Sequence, residues 1–84
     1  MAVQVRVLLF ARAREFAGRE SLELALEDGE RLSGLVNVLG RRIPRLGEYL
    51  TSCRFAVNQE FRELDDVVPD GAEVAIIPPV SGGA

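Results

Sequence analysis

Residues 70–79, Asp70-Gly71-Ala72-Glu73-Val74-Ala75-Ile76-Ile77-Pro78-Pro79, decide the fold. The Asp-Gly pair is a strong turn signal, and the apolar run that follows it does not alternate with polar residues. A strand of this kind is typical of the middle of a sheet, because both of its faces are covered. The two prolines lack a backbone N–H and fix φ, so the strand must end there. We therefore predict a central last strand from which the end of the chain leaves the sheet.

The opposite end of the sequence supplies a second strand for this sheet. Residues 3–9 alternate, with an apolar side chain at every odd position, and the other face turns apolar at Leu8 and Phe10. Good helix formers follow over 11–17 and stop at Gly18, which predicts a short helix with glycine just past its end. Residues 21–26 alternate again and are predicted as a strand.

The middle of the chain predicts one main helix. Leu32, Leu35, Val36 and Leu39 lie three and four residues apart, after an Asp-Gly turn, and Pro44 should end this amphipathic helix. Residues 46–51 are ambiguous and are interpreted as at most a short extra turn. Further strands are predicted over 54–57, 61–64 and 73–77, with a turn at 58–60 and a loop or single helical turn at 65–68.

Composition excludes several classes of function. The chain of 84 residues has no histidine and one cysteine, so the usual transition-metal sites and Ser-His or Cys-His nucleophile pairs cannot be assembled from it alone. Cys53 is interpreted as a small buried hydrophobe at a strand edge. The net charge of −3 and the absence of a basic cluster argue against nucleic acid as partner. The apolar run 7–11 is far below the roughly 18 residues that span a bilayer, so we expect no membrane segment and a cytoplasmic protein.

The end of the chain is the candidate functional segment. Val80-Ser81-Gly82-Gly83 follows the diproline and reaches at most about 14 Å, at roughly 3.5 Å per residue, when extended. Two glycines let a backbone pass through a narrow channel in another protein. The alternative is that any terminus can end in small residues and fray.

These segments together resemble the small subunit family of molybdopterin synthase, the MoaD family of ubiquitin-like sulfur carriers. The similarity runs in order over nearly the whole chain and is strongest in the tail. The matching segments are Val7-Leu8-Leu9-Phe10-Ala11, Arg14-Glu15 with Gly18, Ala56-Val57-Asn58-Gln59, and residues 70–75 running into Pro78-Pro79-Val80-Ser81-Gly82-Gly83.

The element order fits an α+β domain of the β-grasp (ubiquitin-like) type, which is the fold that the resemblance also implies. We expect a mixed five-stranded sheet, one main helix packed across it and a flexible Gly-Gly tail. The expected organisation is a domain over residues 1–79 and a tail over residues 80–84.

The resemblance implies a carrier mechanism. An activating enzyme, an E1-like adenylyltransferase (MoeB-like), uses ATP and Mg to adenylate the carboxylate of Gly83, and sulfur transfer then makes a thiocarboxylate. Gly82 gives steric access to the channel. The tail enters the large synthase subunit (MoaE-like) and gives sulfur to a pterin precursor, cyclic pyranopterin monophosphate, in molybdenum cofactor synthesis. This chain would bind no cofactor itself, would hold no complete active site, and would join a dimer of heterodimers.

A docking surface for both partners is the remaining expectation. Strand parity points Phe10 and Ile77 away from the face that carries Leu9 and Ile76. The resemblance matches Phe10, Phe61 and Ile77 to the family's apolar docking patch, and it assigns partner contacts to Pro78, Pro79, Val80 and Ser81. The alternative is that these apolar side chains complete the core. The acidic residues between 60 and 73 are interpreted as a solvated face, or else as a means of steering towards a basic partner. A catalytic pair of carboxylates is the third and least favoured interpretation, because Asp65 and Asp66 are adjacent and nothing suggests that they are buried.

Ala84 departs from the family pattern, which ends at Gly-Gly. An extra residue moves the carboxylate one position too far, so we predict that Ala84 is trimmed or is an artefact; a fused product is the other option. Three other functions stay open at this point: a sulfur carrier for thiamine thiazole formation or tRNA thiolation, a ubiquitin-like modifier of target lysines, and a binding module with an inert tail.

Overall fold

A computed structural model describes residues 2–79 of the chain. The predicted tail residues Val80, Ser81, Gly82 and Gly83, together with Ala84, lie outside the described residues. The elements, in chain order, are β1 (Ala2–Leu8), α1 (Ala11–Ala17), β2 (Ser21–Glu27), α2 (Leu32–Arg42), α3 (Pro44–Leu50), β3 (Arg54–Val57), β4 (Glu60–Arg62) and β5 (Glu73–Ile77).

The five strands form one mixed sheet in the order β2-β1-β5-β3-β4. The first and last strands are parallel, with Leu8 beside Ala75, and the other neighbouring strands are antiparallel. The predicted central position of the last strand is therefore confirmed, and so is the β-grasp fold. Both termini of the domain consequently lie on central strands, and the chain leaves the sheet from its middle.

One face of the sheet carries the core. Val3, Val5 and Val7 point into it from β1, and Val74 and Ile76 point into it from β5. These side chains pack against buried leucines of β2 and of the helices, namely Leu22, Leu24, Leu26, Leu32, Leu35, Leu39, Leu46 and Leu50.

The prediction that β5 is buried on both faces is wrong. Ala75 and Ile77 are only half-buried, because the buried side chains of the sheet and the helices that cover them lie on one side. The non-alternating run reflects an apolar but open second face.

The helical layer contains more than the single main helix expected. Pro44 does end α2, but it also occupies the first turn of α3, where a missing N–H costs nothing. Leu46 and Leu50 lie one turn apart and bury their side chains in the core, so the ambiguous segment is a third helix. None of the helices between residues 2 and 79 is both long and apolar enough to span a bilayer.

The segment after β4 closes the N-terminus of α2. Leu32 N–H donates to the Asp66 carbonyl at 2.9 Å, and Ser33 N–H donates to the Leu64 carbonyl at 3.0 Å. These bonds satisfy amides that a helix leaves without internal partners. The fourth strand ends at Arg62 rather than at the predicted residue 64, because the next carbonyls turn towards α2.

Candidate docking surface

The face of the sheet that no helix covers has an apolar row across four strands. Leu8 lies beside Ala75, Ala75 is paired with Ala56, and Ala56 is paired with Phe61. The small alanines leave a shallow floor between Leu8 and the exposed ring of Phe61. We call the open-face side chains Leu8, Phe10, Ala56, Phe61, Ala75 and Ile77 the apolar patch.

Phe10 lies at one end of the patch and is fixed by the start of α1. Its backbone is extended, at φ −124 and ψ 158, and its carbonyl accepts hydrogen bonds from Ala13 and Arg14 at 3.0 and 3.3 Å. Ala11 then adopts a left-handed φ of 50. The ring is 46 % exposed, whereas the preceding Leu9 is 1 % exposed. The alternative that Phe10 completes the core is therefore wrong.

Phe61 occupies the other end of the patch on the edge strand β4. It is 58 % exposed, and the guanidinium carbon of Arg54 lies 4.4 Å from the centre of its ring. A cation over an aromatic face within about 6 Å is attracted by the ring quadrupole. Phe61 is thus held in place without being covered, and it too is excluded from the core.

Ile77 and the two prolines form the root of the tail. Ile77 is half-buried on the open face, opposite Arg54 in the neighbouring strand. Pro78 is half-buried and Pro79 is exposed. The backbone hydrogen bonds of the sheet cannot continue past residues that lack an N–H. The described chain therefore ends beside the apolar patch.

A groove continues from the patch around the edge of β4. It has a volume of about 490 Å³ and is lined by Val36 and Leu50 of the helices, by Arg54 and Phe61 of the strands, and by Leu64 after β4. Leu64 is itself exposed. The groove thus reaches from Phe61 to the rim of α2, and its lining also includes the polar residues Thr51, Arg62 and Glu63.

The acidic segment does not form a catalytic arrangement. The Asp70 carboxylate accepts a hydrogen bond from the backbone N–H of Gln4 at 2.8 Å, and the Asp66 carboxylate accepts one from the backbone N–H of Glu63 at 2.9 Å. Asp70 thus ties its turn to the first strand, and Asp66 braces the turn over 63–66. Within residues 2–79 no group of three or more acidic or sulfur side chains could hold a metal ion.

Cys53, predicted to be a buried hydrophobe at a strand edge, is only half-buried and lies just before β3. Its Sγ lies 3.4 Å from the Tyr49 carbonyl, within reach of a weak S–H hydrogen bond. Burial raises the pKa of the Cys53 thiol above its ordinary value. A thiol that resists ionisation is a poor nucleophile, so Cys53 is a packing residue rather than a site of chemistry.

Sequence reasoning missed three residues of this surface. Arg54 was not singled out, because its position follows only from the register that sets β3 against β5. Ala56 and Ala75 were not recognised as patch residues, because their place between Leu8 and Phe61 follows only from the pairing of four strands.

Comparison with known proteins identifies the family. The model of the ThiS family matches residues 7–83. A protein of Chlamydomonas reinhardtii named molybdopterin synthase sulfur carrier subunit is 41 % identical over 83 residues, which cover 96 % of this chain and 100 % of that protein. The Homo sapiens protein of the same name is 37 % identical and covers 95 % of this chain and 94 % of its own length.

Solved structures agree with this result. Molybdopterin converting factor, subunit 1, from Pyrococcus furiosus superposes with a TM-score of 0.84 at 31 % identity, covering 93 % of this chain and 99 % of that one. A complex of subunits 1 and 2 of molybdopterin-converting factor from Helicobacter pylori gives 0.68 at 24 %, covering 96 % and 100 %. A ubiquitin from Caldiarchaeum subterraneum gives 0.67 at 12 %, covering 99 % and 100 %, and shows the shared fold. The resemblance drawn from the sequence is confirmed, and the chain belongs to the ThiS family.

Proposed function

We propose that this protein is the sulfur carrier subunit of molybdopterin synthase, and that its tail carries sulfur as a thiocarboxylate on Gly83. The observation that carries the proposal is the geometry of the tail root. A central strand delivers Pro78 and Pro79 beside an exposed apolar patch, and Gly82-Gly83 follows within the ThiS family match. The same partner can therefore hold the domain by the patch and take the tail into its own active site.

The chemistry requires activation because a carboxylate is a poor electrophile. With a reference pKa near 3.5, the terminal carboxylate is ionised at neutral pH. The activating enzyme would use ATP and Mg to convert it into an acyl adenylate, which has a good leaving group. A sulfur nucleophile then displaces AMP and leaves the thiocarboxylate. This chain supplies the carried group and the docking surface, and its partners supply the bases and phosphate-binding groups.

The large subunit would be the second partner. In the Helicobacter pylori structure, subunits 1 and 2 of molybdopterin-converting factor form a protein–protein complex. We propose an equivalent complex here, in which the apolar patch and residues 78–81 contact the large subunit and Gly82 passes through its channel. The large subunit would then transfer the sulfur of the thiocarboxylate to the pterin precursor.

Intact-mass spectrometry tests the carrier role. The chain ending at Gly83 is incubated with an activating enzyme, ATP, Mg and inorganic sulfide, whose HS⁻ displaces AMP directly and needs no reductant. We expect a mass gain equal to the replacement of one oxygen by sulfur, which disappears when ATP is omitted. Deletion of residues 82–83 serves as the matched control and should abolish the gain without lowering thermal stability, because both residues lie beyond β5.

Adding the large subunit and the pterin precursor tests the pathway. Product should form with the charged chain and not with the uncharged one. A chain that gains sulfur but supports no product would favour a carrier for another pathway. A chain that never gains sulfur would contradict the proposal altogether.

A further inference from the structure

Arg54 is a cation of the open face that lies beside the tail root. It is the first residue of β3, and it is paired across the sheet with Ile77, the last residue of β5. Its side chain therefore emerges on the same face as the apolar patch, between the exposed ring of Phe61 and the point where Pro78 begins the exit of the chain.

The Arg54 guanidinium is positioned in advance of any partner. Its central carbon lies 4.4 Å from the centre of the Phe61 ring. A guanidinium has five N–H donors, so this contact leaves donors for a hydrogen-bonding partner. The contact with Phe61 limits the conformational freedom of the Arg54 side chain. Binding a partner through the N–H donors therefore costs less entropy.

Arg6 and Arg62, the other arginines of the five strands, have acidic neighbours. Arg6 is on the same face, but its register neighbours are Glu23 and Glu73. Arg62 is paired with Glu60 at 2.8 Å. Within the described range 2–79, no carboxylate lies within ion-pair distance of Arg54, and no acceptor receives a hydrogen bond from its side chain.

From this arrangement we infer that Arg54 determines specificity in docking: the partner's apolar contact surface carries a carboxylate that accepts hydrogen bonds from the edge of the Arg54 guanidinium. The inference rests on the proposed function, since it concerns the partner that receives the tail. A partner seated on Phe61 and Ile77 strips water from Arg54. A charge that loses its water without gaining an acceptor is costly, so a surface lacking a carboxylate at this point is rejected.

Three substitutions of Arg54 distinguish the effect of its charge from the effect of its contact with the Phe61 ring. Arg54→Lys keeps the charge, Arg54→Met keeps an apolar cover over Phe61 without charge, and Arg54→Glu reverses the charge. Arg6→Met is the matched control on the same face. Binding of each purified full-length chain to the large subunit is measured by calorimetry at low and at high salt, and each variant's thermal unfolding is recorded to confirm folding.

Charge recognition predicts a graded loss of affinity. We expect Arg54→Lys to bind within about threefold of the unmodified chain, Arg54→Met about tenfold more weakly and Arg54→Glu about a hundredfold more weakly or worse. Arg6→Met should stay within about twofold, because its acidic neighbours already compensate that site. Salt should weaken binding of the unmodified chain more than that of Arg54→Met.

A charge exchange identifies the acceptor. Replacing the facing carboxylate of the large subunit by lysine should weaken binding to the unmodified chain and restore binding to Arg54→Glu. If both Arg54→Met and Arg54→Glu bind as well as the unmodified chain, the inference is overturned while the proposed function stands. If the unmodified chain neither binds the large subunit nor accepts sulfur, the proposed function fails and this inference fails with it.

Discussion

Leu9 and Phe10 are adjacent residues with different roles, since one stabilises the fold and the other lies on the proposed docking surface. Leu9 is 1 % exposed and belongs to the core, whereas Phe10 is 46 % exposed and belongs to the apolar patch. The backbone carbonyl of Phe10 accepts the first hydrogen bonds of α1, but its side chain lies outside the core cluster.

Alanine at each position should therefore affect a different property. We expect Leu9→Ala to lower the free energy of unfolding by about 2–5 kcal/mol, because it leaves a cavity among buried neighbours. Phe10→Ala should change it by no more than about 0.5–1 kcal/mol, yet it should reduce sulfur transfer in the reconstituted synthase. Urea unfolding and product formation measure the two effects. A large loss of stability in Phe10→Ala would contradict this assignment and show that the ring contributes to the core.

Ala84 poses the other question at the scale of a single residue. The family match ends at Gly83, and a chain ending at Ala84 would carry a methyl group and a further peptide unit before its carboxylate. A channel that admits glycine because it lacks a side chain should exclude that methyl group. We predict that the chain ending at Gly83 gains sulfur and the chain retaining Ala84 does not, as measured by intact mass. Equal gain by both chains would contradict the need for trimming.

At the scale of elements, the close crossing of α2 and α3 depends on two glycines. Gly40 and Gly47 face each other, and a Cβ built on Gly47 would lie 2.9 Å from the Gly40 Cα, whereas a Cβ on Gly40 would lie 3.4 Å from the Gly47 Cα. The first distance requires the helices to shift, and the second is ordinary contact.

The two alanine substitutions should consequently have opposite effects on the stability of the fold. Gly47→Ala should destabilise the fold by about 1–3 kcal/mol, as overpacking does. Gly40→Ala should be neutral or stabilise by up to about 1 kcal/mol, because alanine is the better helix former. Thermal unfolding of the pair is the measurement. Equal destabilisation by both would show that the crossing has no such asymmetry.

The same helices show what the sequence could and could not predict. Leucines at spacings of three and four predicted α2, and alternation predicted β1 and β2, because each pattern reflects one buried face. The third helix was missed because Pro44 is a stop signal for one helix and a start signal for the next, and seven residues give too little periodicity to decide. The end of β4 was missed because α2 competes for its carbonyls, and that is a tertiary contact.

The residues of the candidate docking surface come from several strands, so only some of them could be predicted from the sequence. Phe10 and Ile77 were predicted from parity within single strands, and the glycines of the tail from their residue type. Arg54 required the pairing of β3 with β5, and the alanine floor required the order of four strands. A surface built across several strands becomes visible only when their register is known.

The charge composition of the whole molecule leads to a last prediction, on alkaline stability. The chain has no lysine and no histidine, so between about pH 8.5 and pH 12 its titrating side chains are Cys53 and Tyr49. Burial raises the pKa of both groups; for Tyr49 the charges of Cys53 and Glu15 raise it further, while Arg12 opposes them. The unfolded chain therefore ionises first, so the stabilisation is complete below the unfolded pKa values and is lost as the pH rises through the folded ones.

Urea unfolding at a series of pH values measures this loss. The free energy of unfolding should be level across neutral pH and should fall above about pH 8.5, where the unfolded thiol begins to ionise. The double variant Cys53→Ala, Tyr49→Phe removes both groups, so its profile should stay flat over the same range even if its stability at neutral pH is lower. Persistence of the full alkaline slope in that variant would mean that general charge repulsion, and not these two neighbouring groups, sets the alkaline limit of the fold.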